Sequence, residues 1–129
     1  MPANVLLVVF DTARADLFEP YGAPAGSTPT VAELGRRGCA HPATYAPASW
    51  TVPSHASLFS GLLPRSAGFQ HRGSTSPRSY REANRVLAQR GRLLPSVLGR
   101  AGFETKAVSA NTWIGRHTGF DHGFDEFRA

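Results

Sequence analysis

The stretch SWTVPSHASLFSG, residues 49–61, groups Thr51, Ser54 and His55 around a Pro that suits a first helical turn. The free N–H groups and the dipole of a helix start attract anions. A hydroxyl beside that start can attack an anionic ester held there if a metal lowers its pKa, which makes Thr51 a candidate nucleophile, with Ser54 and His55 as hydrogen-bonding neighbours. The simpler reading of the same residues is a Thr cap on an ordinary helix. A second candidate is Asp11, which ends the apolar run NVLLVVFD. A carboxylate there can hold a hard or borderline metal ion. By position alone, a helix-capping or turn-forming Asp within DTARAD is the stronger reading, and Arg14 and Asp16 beside it read as a local ion pair or cap.

The elements that must position these groups are legible in outline. NVLLVVFD has the continuous apolar character of a strand buried on both faces, and α/β proteins bind ligands beyond the carboxyl ends of such strands. TPTVAELGRRG predicts a helix with Thr28 as cap, Pro29 at the first position and Gly38 as terminator. Residues 39–50 read as extended loop, and a further helix is expected from Pro53 to about Phe59, stopped by Gly61 and Pro64. Residues 65–80 are loop by composition. YREANRVLAQRG predicts a short helix, LLPSVLGRAG a helix ending at Gly102, and FETKAVS a second parallel-type strand. The tail from Asn111 to Phe127, with its Gly residues and mixed aromatics and acids, reads as irregular. This order predicts an α/β layer architecture in one domain spanning 1–129. Two strands are too few for a covered parallel sheet, so a remainder or a second chain is expected to complete it.

Composition narrows the function classes. The chain carries 14 Lys+Arg against 9 Asp+Glu, for a net charge of +5, and Lys106 is the single Lys. Arg favours bidentate contact with oxyanions, although a solvated surface in an Arg-biased composition is the stronger reading of the bias. The Arg residues are scattered without interleaved aromatics, which argues against nucleic-acid binding. Cys39 stands alone, excluding an internal disulfide, and reads as a small buried residue. The run VLLVVF is too short for a membrane span and lacks signal-peptide features, so the expected location is cytoplasmic, without membrane association.

The segments NVLLVVFDTARAD, TPTVAELGRRG, YAPASWTVPSHASLFSGLLP, LLPSVLGRAGFETKAVSAN and GFDHGFDEF follow the order seen at the start of the sulfatase family, within the alkaline-phosphatase-like superfamily. The resemblance spans nearly the whole chain but only the first part of a typical member. It implies the N-terminal part of an incomplete αβα sandwich and a metal-dependent hydrolase of sulfate or phosphate esters. Asp11 matches the first metal-binding Asp; many sulfatases place a second Asp directly after it, where this chain has Thr12. Thr51 matches the nucleophile of the C-x-P-S-R motif, itself a metal contact, and His55 stands at the Arg. Sulfatases oxidise their Cys or Ser to formylglycine. Thr would give a ketone, so Thr51 implies an unmodified hydroxyl and no formylglycine, as in superfamily phosphodiesterases and phosphoglycerol-type transferases.

The G-K-W-H sulfate contacts usual after the second strand are replaced by SANTW, in which Asn111 is the candidate donor to an oxyanion or a turn residue. His117 and His122 have no assigned role, and His41 and His71 read as surface or loop residues. The implied cofactor is a divalent cation (calcium, zinc or manganese), bound only when the family's later ligands are supplied. The expected partners are an anionic sulfate or phosphate ester and a complementing C-terminal chain. The rival reading is a truncated, non-catalytic fragment or interaction module.

Overall fold

The computed structural model describes residues 3–69 and 84–129 and divides the chain into two compact units, Met1–Tyr45 and Ala46–Ala129. The first unit contains two 3-10 turns, Ala15–Leu17 and Glu19–Tyr21, followed by helix α1, Pro29–Arg37. Pro29 opens α1 as expected, but the Thr28 side chain does not cap it. Instead the Thr28 hydroxyl accepts a bond from the Glu19 N–H at 2.9 Å, and the Glu19 carboxylate accepts one from the Thr28 N–H at 2.7 Å. This reciprocal pair ties α1 to the preceding 3-10 turn. The expected Arg14–Asp16 ion pair forms at 2.6 Å.

The strand expected over NVLLVVFD does not form. Residues 3–10 have no regular secondary structure, and Leu6 and Phe10 are 87% and 62% exposed. A parallel strand needs a ladder partner and cover for its faces. Among the described residues the only ladder lies in the other unit, so this run has no strand partner among them. No described residue of the first unit is buried. Cys39 accordingly is exposed rather than buried, since it follows α1 in a unit without an interior. An exposed apolar run without a strand partner is a template for association. The 129-residue chain is therefore expected to self-associate, and Leu6→Lys with Val8→Lys to reduce this. Sedimentation velocity checks it, and a strictly monomeric unmodified chain at tens of micromolar would contradict it.

The second unit holds α2, Thr51–Ser60, a helical segment at residues 84–87, a 3-10 turn at Arg90–Arg92, and α3, Leu94–Arg100. Strands β1, Lys106–Val108, and β2, Glu126–Arg128, follow. The pair is parallel, with Lys106 opposite Glu126 and Val108 opposite Arg128. Helices combined with a parallel pair make this an α/β chain. β1 matches expectation, whereas β2 lies in the tail read as irregular. The part of the expected short helix before residue 84 lies outside the described residues, as do His71 and most of the 65–80 loop.

α2 begins two residues earlier than expected and ends as expected. Gly61 adopts a left-handed φ of 69° and donates its N–H to Ser57 O at 2.8 Å. α3 stops similarly: Gly102 takes φ +89°, and the Phe103 N–H reaches back to Leu98 O at 3.1 Å.

Val52, Ala56 and Phe59 share one face of α2 at helical spacing, and that face supplies the core. Phe120 is 1% exposed at its centre. Phe59 lies 6.0 Å from Phe120 and 5.8 Å from Phe124, and Phe124 lies 5.9 Å from Phe127. These tilted and edge-to-face separations are those aromatic pairs prefer. The tail thus folds because its aromatics stack from α2 to β2.

Asp125 and Thr105 join the starts of the two strands. The Asp125 carboxylate accepts bonds from the Thr105 N–H at 2.7 Å and from its hydroxyl at 2.9 Å. The backbone bond first, and the hydroxyl second, hold the Asp125 carboxyl below its ordinary range. A depressed folded-state pKa stabilises above the unfolded value, and that contribution is lost as pH falls through the folded one. Asp125→Asn, which cannot titrate, is expected to flatten the stability loss between about pH 5 and pH 2. Urea midpoints across that range check this, and an unchanged slope would remove Asp125 from the acid response.

Candidate active-site helix

Thr51 is the first residue of α2 and half-buried. Trp50 precedes it in extended conformation, with φ −146° and ψ 159°, and provides no side-chain cap. Thr51 therefore sits inside the helix rather than before it, so its side chain is not in the ordinary capping position. Pro53 in the first turn is buried, and its missing N–H leaves no orphan donor there. Ser54 donates its N–H to Trp50 O at 3.4 Å.

His55 lies one helical turn beyond Thr51, and its Nδ1 is 2.9 Å from Thr51 O. A carbonyl only accepts, so Nδ1 carries the proton and Nε2 keeps its lone pair in the neutral ring. The imidazole meets the Phe120 ring edge-to-face, with centroids 6.2 Å apart and an interplanar angle of 85°. The fold thus gathers Thr51, Ser54 and His55 on one helix and steadies the His55 ring from both sides. Phe120 is the residue that sequence reasoning missed. The repeated aromatics of GFDHGFDEF were its only signal, and they do not say which Phe turns toward α2.

Asn111 stands beyond the carboxyl end of β1. Its Oδ1 accepts from the Trp113 N–H at 2.8 Å, and its carbonyl accepts from the Ile114 N–H at 3.0 Å. The side-chain oxygen thus takes part in the local turn. Thr118 is fully buried near by, its hydroxyl donating toward Gly115 O and Trp113 O and accepting from the Gly115 N–H. His122 places Nδ1 3.2 Å from Leu87 O, and His117 accepts at its carbonyl from Asn84 Nδ2 at 3.4 Å. His41 is exposed.

Asp11 belongs to the other unit, in an exposed turn. The next residue, Thr12, has a left-handed φ of 61°. That conformation is costly for a β-branched residue and easier for Asp, the residue many sulfatases carry there. Among the described residues no three His, Cys, Asp or Glu side chains come together in a metal-binding group. Asp11 offers hard oxygen donors, but a single carboxylate does not make a shell. No described helix is long and apolar enough to cross a membrane.

Comparison with known proteins gives the family. The N-acetylgalactosamine-6-sulfatases of Sus scrofa, Homo sapiens and Rattus norvegicus are 31%, 30% and 30% identical to the chain over 132 aligned residues. Each alignment covers 98% of this chain and 25% of the relative, so the chain spans about a quarter of those proteins' length. No solved structure matches significantly. The sulfatase family model matches residues 3–129, through both the Asp11 turn and the α2 helix, and the chain belongs to the sulfatase family.

Proposed function

We propose that the chain forms the nucleophile-bearing N-terminal part of an αβα-sandwich ester hydrolase, with Thr51 as the nucleophile and phosphoesters as the preferred substrates. The observation that carries this is Thr51 at the first position of α2, within a family whose nucleophile occupies the matching position. The N-terminal end of α2 favours an anionic ester. Thr51 Oγ forms a bond to phosphorus, the leaving oxygen departs with the electron pair of the broken ester bond, and the hydroxyl proton passes to His55 Nε2. Asn111 contributes a donor to the developing oxyanion. A divalent cation would supply charge neutralisation with Asp11 and Thr51 among its ligands, once further donors from outside these residues complete the shell.

Sulfate esters are expected to react more slowly, because Thr51 cannot form the gem-diol that expels sulfate by collapsing to an aldehyde. The test is an intact-mass measurement after quenching bis-aryl phosphate turnover, with the chain assembled with the remaining part of a sulfatase fold. A phospho-adduct on Thr51 is expected. Faster cleavage of aryl sulfate than of aryl phosphate by the unmodified protein overturns the reading.

A further inference from the structure

An open depression of about 340 Å³ lies in the second unit beside the start of α2. Pro47, Trp50, Pro53, Leu63, Arg65 and Phe69 line it, so its walls are flat and apolar and Arg65 is the single charged side chain among its lining residues. Three backbone bonds build one wall. Ala67 N–H donates to Leu63 O at 2.9 Å, Gly68 N–H to Arg65 O at 3.1 Å, and Phe69 N–H to Pro64 O at 2.9 Å. Gly68 closes this turn at φ +85°, a conformation that suits Gly. Phe69 is held 8% exposed by the same bonds, and Trp50 is half-buried against the core. The site is thus largely preformed, which reduces the ordering cost of binding.

Its chemistry selects one class of occupant. Arg65 makes no ion pair with another described residue, and a guanidinium suits sulfonate, phosphate or carboxylate oxygens. Trp50 and the prolines offer surface for a planar ring, and the volume lies at the small end for ligand pockets. We propose that this depression binds a small arene carrying one anionic group, the ring against Trp50 and Phe69 and the anion on Arg65. This site requires no chemistry at Thr51 and stands without the hydrolytic reading.

The test uses naphthalene-2-sulfonate, which carries no ester to hydrolyse, on the 129-residue chain. Trp113→Phe leaves Trp50 as the single fluorescent indole, and saturation-transfer NMR on the unmodified chain repeats the titration without that change. Saturable binding is expected from both measurements. Arg65→Gln should weaken it about tenfold or more, the loss of a charge-assisted contact. Thr51→Ala should leave it unchanged. Methanesulfonate and 2-naphthol, each with half of the recognised features, should bind at least about tenfold more weakly. Equal binding of 2-naphthol with no effect of Arg65→Gln identifies a plain apolar patch and overturns the proposal. Equal binding of methanesulfonate, or no saturable binding by either measurement, overturns it too. Saturable binding here, combined with no Thr51-dependent phosphoester turnover by the completed enzyme, would sink the hydrolytic reading alone.

Discussion

Thr51→Ala is expected to lower phosphoester turnover by about a thousandfold or more in the completed enzyme, because it deletes the atom that forms the covalent bond. Thr51→Ser keeps a hydroxyl on the same first position of α2 and should stay within about tenfold of the unmodified protein. That pair separates a nucleophile from a helix-end residue. A helix-end role predicts that Ser and Ala differ only in stability, with neither collapsing turnover. Thr51→Cys, expressed with a formylglycine-generating enzyme, should not gain efficient sulfatase activity. His55 replaces the motif Arg, and SANTW replaces the G-K-W-H contacts. Initial rates on bis-aryl phosphate and aryl sulfate across the four proteins decide the matter. Full activity in Thr51→Ala would rule out Thr51 as the nucleophile.

The second large effect concerns packing, and two residues of the same type make the comparison. Phe120 is 1% exposed, against Phe59 and His55, whereas Phe10 is 62% exposed. Truncating a buried Phe to Ala removes its transfer free energy and leaves a cavity, costing about 3–5 kcal/mol. Whole domains are stable by only about 5–15 kcal/mol, so Phe120→Ala should lower the melting temperature by more than about 10 °C or prevent folding of the second unit. Phe10→Ala should change stability by no more than about 0.5 kcal/mol. Thermal melts by near-ultraviolet circular dichroism read both variants. Equal losses would mean that residues 5–10 are packed in solution, and a silent Phe120→Ala would mean that the aromatic stack does not hold α2 to the tail.

Phe120 also shows what local pattern leaves open. Its neighbours in sequence are Gly119 at φ +81° and Asp121, which give the segment no period for assigning a face. Its place between α2 and the strands is set by contacts with residues far away in the chain. The same holds for β2. Glu126–Arg128 is short, and its strand character comes from the parallel register with Lys106–Val108 and from the Thr105–Asp125 bonds.

Where the determinants are local, the sequence by itself was sufficient. Pro29 with Gly38, and Pro53 with Gly61, marked the first turns and the ends of α1 and α2, because the restricted φ of proline and, at Gly61, the left-handed freedom of glycine act within a turn. The motif order marked the family, and the chemistry of a secondary alcohol excluded formylglycine at Thr51 before any coordinate was considered. Tertiary structure decided the rest. It gave NVLLVVFD no strand although that run is the most strand-like in the chain, because a parallel strand exists only with neighbours that hydrogen-bond and cover it. It chose the Nδ1–H form of His55 through Thr51 O, placed Phe120 against that ring, and set Arg65 among the residues lining a largely apolar depression. Each of these depends on contacts between residues that spacing alone does not bring together.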